Sequence, residues 1–468
     1  QESNMSQKND GCKACNTNCS TPDLLEVKGV KKLVRHRYFQ PAFQIVTMLF
    51  FIAIIIAGLT GGQYTRFSRE DDFATVMAWD VWHPLLAFSI LFVGRLWCFA
   101  CPLGAISEWT RRRFSLNRRY PDKFRNLWIA IILFIVISAA TKHLFRFERN
   151  PLATALLLLF FIGLSVAISL VYEKRTFCRF ICPTGLILGV FSLISGTELR
   201  VKSKKVCSEH SEKECLTGNE NGHGCSMYEF PQTLKCNSFC IFCTECIKTC
   251  SKDNIRISTR KFGADILKLR KPHLDEAFFI HSIIVILLFK IGMERAPFRY
   301  RIIDFVNFVG LDRNLMALLI FTGLSIAAIG LMYLINRSVH SRAEETTSHL
   351  TDYVRYTYAL IPLGLGIYLI DNTFKVIRGV FYLISQASHP FGIKLFQFNQ
   401  PAIPYEAINF FQIILLLGGF AASLHFGLAM GEKDGKKVTF TNILPLVVVA
   451  LIYMLIALRI LTLDILSY

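Results

Sequence analysis

A mainly α, polytopic membrane helical bundle carrying one small inserted α+β domain is the fold class that this 468-residue sequence predicts. Three observations carry it. The chain is 53% hydrophobic with a mean hydropathy of +0.41, which is unusual for a water-soluble protein and ordinary for a membrane one. Nine apolar stretches recur along it, most of them near the ~20 residues that cross a hydrocarbon core of about 30 Å. Between the fourth and fifth lies a polar stretch, 198–272, that holds eight of the fifteen cysteines.

That stretch is organised around Cys236 to Cys250, C-N-S-F-C-I-F-C-T-E-C-I-K-T-C. Cys240, Cys243, Cys246 and Cys250 stand in C-x2-C-x2-C-x3-C spacing, the run by which ferredoxin-type domains hold [4Fe–4S] clusters. Three close thiolates grip one cluster, and the fourth cysteine usually serves the other cluster of a pair. Zinc sites tend to use two separated C-x2-C knuckles, and disulfide frameworks belong to short secreted chains, so iron–sulfur is the stronger reading. Ser251 stands where ferredoxins normally have Pro, which removes no ligand. The insert therefore reads as a two-cluster ferredoxin-like domain. Upstream lie Cys207, Cys215 and Cys225. Interleaved ligation gives Cys240, Cys243, Cys246 and Cys225 to the first cluster, because Cys225 is last in its run. Cys207, Cys215 and Cys250 remain for the second, one ligand short, with Cys236 or His210 as candidates for the fourth. An imidazole ligand would raise the cluster potential; an exposed loop histidine is the plainer explanation of His210.

The leader, 1–40, is polar and then basic. Its Cys12, Cys15 and Cys19 stand in C-x2-C-x3-C order before Pro22. Three thiols suit a further metal site with a donated ligand, or a flexible tail with free cysteines. The first apolar stretch begins only near Ala42, which is not the pattern of a cleavable signal peptide.

The nine expected spans lie near 42–61, 84–104, 127–146, 152–172, 277–293, 315–335, 353–373, 406–430 and 443–463. Lys28, Lys31, Lys32, Arg35 and Arg37 precede the first; Arg111, Arg112, Arg113, Arg118 and Arg119 follow the second. The insert is also basic. By the positive-inside rule the N-terminus and all the clusters face the cytoplasm, and nine spans put the C-terminus in the periplasm of an inner-membrane protein. The reducing cytoplasm suits thiolate ligands. The net charge of +18 is accounted for by loops facing anionic lipid, so nucleic acid is not an expected partner.

A repeat gives the membrane part its own chemistry. Trp97-Cys98-Phe99-Ala100-Cys101-Pro102-Leu103-Gly104 is echoed by Phe177-Cys178-Arg179-Phe180-Ile181-Cys182-Pro183-Thr184-Gly185. Arg95 and Arg175 stand two residues before each aromatic residue. Two helical pairs that end alike suggest a pseudo-twofold module, 41–197, whose Cys98, Cys101, Cys178 and Cys182 converge on a third cluster or a metal. Arg95 and Arg175 would offset the thiolate charge. The alternative is that each Cys-Pro is a helix-end turn with packed, inert cysteines.

From 273 to 468 the chain is a five-helix bundle without cysteine. His281 and His425 lie within spans, but haem b is not expected, since haem bundles usually show more histidines on paired helices. The apolar piece Val376–Ile384, after the seventh span, is expected to lie along the membrane surface.

With both Cys-Pro repeats and the ferredoxin run in order, residues Ile45 to Ile257 resemble the NosR/NapH family of membrane iron–sulfur proteins. The stretch Gly218 to Cys225, with Cys240 to Ile255, resembles a longer branch with an added C-terminal helical bundle. That branch carries Cys where this chain has His210 and Pro at Ser251, which implies an altered ligand set here. The resemblance implies electron transfer between a quinone pool, or a cytoplasmic donor such as a ferredoxin-like protein, and a periplasmic reductase chain, through partners such as a multihaem cytochrome. The leading expectation is a respiratory quinol dehydrogenase-type subunit with two [4Fe–4S] clusters. The alternatives are a redox sensor or metalloenzyme maturation factor, and a redox-coupled ion transporter, which would need paired intramembrane charges; Lys290, Glu294 and Asp371 lie near span ends. No nucleophile–base constellation is visible in the sequence.

Overall fold

The structure, a computed structural model, describes residues 22–60, 72–143, 148, 150–268, 272–340, 349–388, 404–433 and 440–463. Cys12, Cys15 and Cys19 lie outside the described residues.

Apolar runs without internal breakers become helices, and capping residues set their starts. Asn150 accepts a hydrogen bond from the Ala153 N–H at 3.2 Å, and Pro151 occupies the first turn, where its missing N–H costs nothing. Among the described residues, seven helices are long and apolar enough to cross a membrane. They are Phe39–Thr60, Phe73–Val93, Pro151–Val171, Leu315–Ser338, Tyr353–Ile384, Tyr405–Gly431 and Ile443–Leu461. Exposed Leu49, Ile52, Ile56, Leu156 and Phe160 on the first and third of these suit a lipid solvent.

The other two expected spans are helical as well. Trp128–His143 is shorter, and Leu274–Gly292 carries Asp275, Glu276 and Lys290. That helix is buried almost all round, so its charges meet protein rather than lipid. Two other boundaries differ from expectation. The second span runs Phe73–Val93 and stops at Gly94, whose φ of +56° and a neighbouring Ser195 Oγ at 2.9 Å from any Cβ leave room for glycine alone. Each Cys-Pro therefore opens a new helix, Pro102–Phe114 or Pro183–Phe191, instead of closing a span. The seventh expected span does not end before a surface segment. One continuous helix, Ile361–Ser388, takes in Lys375 and Arg378.

Between Pro183–Phe191 and Leu274–Gly292 the cysteine-rich stretch has one two-stranded sheet. β1 (Thr197–Val201) and β2 (Ile255–Thr259) pair antiparallel with Leu199 opposite Ile257. Leu25, Val34, Leu199, Leu234, Phe242, Ile247 and Ile255 form its small core. Buried Asp265 ties it together, accepting from the Asn237 N–H at 2.7 Å and pairing with Arg200 at 2.8 Å and with Arg260. The helix Val30–Arg35 straps across it: Lys31 and Arg35 pair with Asp253, and Thr244 donates to the Val34 carbonyl at 3.1 Å.

Candidate iron–sulfur relay and membrane cavity

The Cys-Pro repeats fold alike because Cys followed by Pro dictates it. Pro disfavours helical backbone in the residue before it and suits the first helical turn. Cys101 (φ −60°, ψ 128°) and Cys182 (φ −69°, ψ 117°) are accordingly extended N-caps. Cys182 Sγ accepts from the Gly185 N–H at 3.4 Å. Both sulfurs face helix N-termini, where the backbone dipole favours negative charge. The repeats differ by one residue, C-x2-C against C-x3-C. An α-helical turn, Trp97–Ala100, spans the shorter spacing, and a wider π turn, Phe177–Ile181, absorbs the extra residue of the longer.

The two halves then cross. Arg95 donates to the Cys178 carbonyl at 2.7 Å, and Arg175 to the Cys98 carbonyl at 3.2 Å. Each arginine thus holds the other repeat's first cysteine. Gly104 and Gly185 make room for this: a Cβ on Gly185 would meet Cys178 O at 2.7 Å and Arg95 Nη2 at 2.8 Å, and one on Gly104 would meet Arg175 Nη1 at 3.0 Å. Both guanidinium groups are buried, Arg95 to 1% exposure and Arg175 to 2%. Arg175 has a carboxylate, Glu108, at 3.3 Å. Burial opposes the charged form of Glu108, but Arg175, Arg111 and Arg112 outweigh it and hold the carboxyl down to about 2. Among the described residues Arg95 has no carboxylate, only the carbonyls of Ser238 and Cys178 and the Cys98 sulfur at 3.4 Å. A buried cation with such partners calls for negative charge on the sulfurs beside it. Cys98, Cys101, Cys178 and Cys182 lie within electrostatic reach of one another and line one cavity. Burial pushes the Cys101 thiol up to about 11 and Cys182 to about 12, so thiolates form there only with cations to compensate. A metal–sulfur centre fits this donor set.

The cysteine-rich stretch makes two more groups. Cys225, Cys240, Cys243 and Cys246 line a single small cavity walled by Leu199, Met227, Leu234 and Ile241. Burial pushes Cys240 up to about 12 and Cys243 and Cys246 further, which again suits ligands and not free thiols. Cys207, Cys215 and Cys250 form the second group: Cys215 senses the charge of the other two, and Asn254 donates to Cys207 Sγ at 3.1 Å and to Cys250 Sγ at 3.3 Å. His210 Nε2 lies 3.4 Å from the Oγ of Ser251, next to Cys250. Glu212 and Glu214 crowd the same place. Cys236 stands apart, packed against the membrane-helix core with its sulfur 3.5 Å from Ser238 Oγ. None of the twelve described cysteines is in a disulfide.

The groups form a row. Arg175 lies within reach of both Cys178 and Cys243, and Phe177, Phe180 and Ile241 pack between the Cys-Pro module and the first group. Cys246 in turn senses Cys215. The sequence did not single out Glu108, or His83, Tyr368 and Glu148, which share the membrane cavity with the Cys-Pro cysteines. Only a neighbouring charge on another helix marks such residues, and that neighbour is not visible along the chain.

A family model described as a 4Fe-4S binding domain matches residues 76–121 and 154–202. These are the two halves of the Cys-Pro module, with Cys98 and Cys101 in one and Cys178 and Cys182 in the other. The chain is similar to the ferredoxin-type protein NapH of Escherichia coli, 24% identical over 36% of this chain and 62% of that protein. It is also similar to the methylamine utilization ferredoxin-type protein MauN of Paracoccus denitrificans, 26% identical over 26% of this chain and 47% of that protein. An uncharacterized protein of Methanocaldococcus jannaschii is 25% identical over 45% of this chain and 84% of its own length. The chain spans less than two thirds of NapH and of MauN. No solved structure matches it. Helices, cysteine groups and similarities together define a polytopic membrane iron–sulfur protein. Within that class, the chain is similar to the ferredoxin-type proteins NapH and MauN.

Proposed function

We propose that this membrane iron–sulfur electron-transfer protein is a quinol dehydrogenase-type subunit, taking electrons from hydroquinone in the membrane and passing them through its cysteine groups. One observation carries the reading. An apolar cavity of about 300 Å³, at the lower end for small-molecule sites, has all four Cys-Pro sulfurs in its wall. A lipid-soluble two-electron donor suits an apolar membrane cavity, and sulfur-bound iron beside it suits one-electron acceptance.

In this reading Cys98, Cys101, Cys178 and Cys182 hold the entry centre. Cys225, Cys240, Cys243 and Cys246 hold a [4Fe–4S] cluster, and Cys207, Cys215 and Cys250 hold a second with His210 as its fourth ligand. His210 is preferred to Cys236 because its side chain lies at Ser251 while Cys236 packs in another core. Residues 41–197 are the membrane module, 198–272 the ferredoxin-like domain and 273–468 the C-terminal bundle. The basic N-terminal segment and the clusters face the cytoplasm, and partners are further respiratory electron-transfer subunits.

The test is iron and acid-labile sulfide content with EPR of the anaerobically purified, dithionite-reduced protein, before and after a menaquinol analogue. Roughly eight irons match two cubane clusters, and roughly twelve add the Cys-Pro centre. Reduction of the clusters by the analogue is the expected result. Iron at that level with no response to the analogue would favour a sensor or maturation factor, and zinc in place of iron would end the electron-transfer reading.

A further inference from the structure

The cavity that holds the Cys-Pro sulfurs in one wall has a second, charged end. Glu148, Lys290 and Asp371 line it there. Lys290 pairs with Glu148 at 2.8 Å and Asp371 at 3.2 Å, and Lys375 pairs with Asp371 at 3.1 Å and Glu148 at 3.8 Å. The four charges close a ring of alternating sign, drawn from three separate parts of the chain. Asp80 and Arg378, 3.3 Å apart, form the adjoining pair. Leu274–Gly292 and Ile361–Ser388 locate this end. The first follows directly on the cysteine-rich stretch, and the turn before the second meets the start of the first, where the hydroxyl of Tyr358 donates to Glu276 at 2.6 Å. Roughly 20 Å of helix then leads to Lys290 and to Asp371. The cysteines and the ring therefore face different sides of the membrane helices.

His83 stands at the same cavity one helix over. Asn372 donates its amide to the Tyr368 carbonyl at 2.8 Å, so its oxygen is turned to His83 Nδ1, 2.9 Å away. Nδ1 is then the protonated nitrogen. Nε2, 3.2 Å from the Tyr368 hydroxyl, carries the lone pair. With Nδ1 donating, Nε2 accepts the Tyr368 O–H, so the pair forms a hydrogen-bonded step through which a proton can be passed to the imidazole. Buried ion pairs hold helices together no better than apolar side chains of similar size, and ionisable groups inside membrane bundles mark ion and proton routes.

We propose that the cavity is two-ended. His83 takes up protons from a hydroquinone, and the Glu148–Lys290–Asp371–Lys375 ring hands them to the face opposite the ferredoxin-like stretch. The inference rests on the hydroquinone reading above. Oxidation of one hydroquinone breaks two O–H bonds and yields one quinone, two electrons and two protons. The oxidant would be iron–sulfur centres held by the cysteines, which would supply one-electron acceptance. The protons pass to His83 Nε2 and on to the carboxylates of Asp371 and Glu148. Among the described residues, Lys290, Lys375, Asp80 and Arg378 face that route. Electron exit and proton exit on opposite sides make turnover generate a membrane potential.

The test uses the holoprotein in sealed liposomes with a pH dye entrapped. A menaquinol analogue is the donor and external ferricyanide, which reaches only outward-facing ferredoxin segments, the acceptor. Quenching of Trp79 and Trp82, which line the cavity, reads binding of the analogue independently of turnover. The wild type is expected to acidify the lumen as ferricyanide is consumed. Asp371→Asn is expected to slow lumen acidification by roughly 10²-fold while quenching persists. The charge-balanced Asp371→Asn/Lys375→Gln variant keeps the Lys290–Glu148 pair, and is expected to show the same loss if the single variant does not fold. Acidification outside the vesicles, or unchanged lumen acidification in the variants, overturns the proposal and leaves the hydroquinone reading intact. No quenching and no cluster reduction by the analogue overturns that reading, and this proposal with it.

Discussion

At the residue scale, the Cys-Pro module depends on atoms that are absent. Gly185 leaves the space that Arg95 needs, and the obstacle to a Cβ there is the backbone oxygen of Cys178 at 2.7 Å. Gly104 faces chiefly the end of a side chain, Arg175 Nη1 at 3.0 Å. Gly185→Ala is therefore expected to cost about 1–3 kcal/mol and to lower iron content, with Gly104→Ala milder; thermal unfolding and iron assays of both variants check the order. Glu108 gives a second prediction. Glu108→Gln leaves Arg175 buried without its carboxylate, an expected loss of roughly 3–5 kcal/mol at neutral pH. Because its carboxyl is held below the ordinary value of 4.5, its contribution is fully present above that pH. It disappears as pH falls towards about 2, so urea unfolding of the Gln variant should be flatter than wild type across that window. The cysteines and both arginines were legible in the sequence because metal-ligand spacing and repetition are patterns along the chain. Glu108 and His83 were not, because the partners that give them meaning come from other helices.

At the element scale, the order of helices was readable and their ends were not. Each of the nine apolar stretches is helical among the described residues, but hydropathy alone ran the second span past Gly94 into the Cys-Pro turn. It also cut the Ile361–Ser388 helix short of Lys375 and Arg378, whose carboxylate partners make their charge tolerable within a helix. Leu274–Gly292 reads from composition as a weak span and proves to be an interior helix, buried by the others. For the second cysteine group the sequence left the fourth ligand open between Cys236 and His210. Three cysteines converge with His210 at their edge. His210→Ala is expected to lose about four irons, and His210→Cys to retain them with a lower cluster potential, checked by iron analysis and an EPR-monitored redox titration.

At the scale of the whole molecule, membrane helices and cysteine-rich stretch differ in what holds them. Most of the membrane helices share one large apolar core, with Phe39–Thr60 and Pro151–Val171 packed in smaller clusters beside it, while the stretch 197–268 has a single two-stranded sheet and a small core of its own. Metal–thiolate bonds are expected to supply what that core lacks. Removing iron by anaerobic chelation should therefore expose this stretch to protease while the membrane helices stay intact, and mapping the cleavage sites checks it. The row of cysteine groups also has a direction, starting at the membrane cavity and ending at Cys207, Cys215 and Cys250.

The crossed arginines carry an implication about symmetry. Each half of the Cys-Pro module lends its guanidinium to the other half's cysteine carbonyl, so a single half cannot make the bond for itself. Two identical halves could, by facing each other about a twofold axis, because the contact is self-complementary. The geometry is the one that two copies of such a half would make as a homodimer. The two halves depart from that symmetry where, among the described residues, a carboxylate stands beside Arg175 alone, and where the second cysteine turn has one more residue.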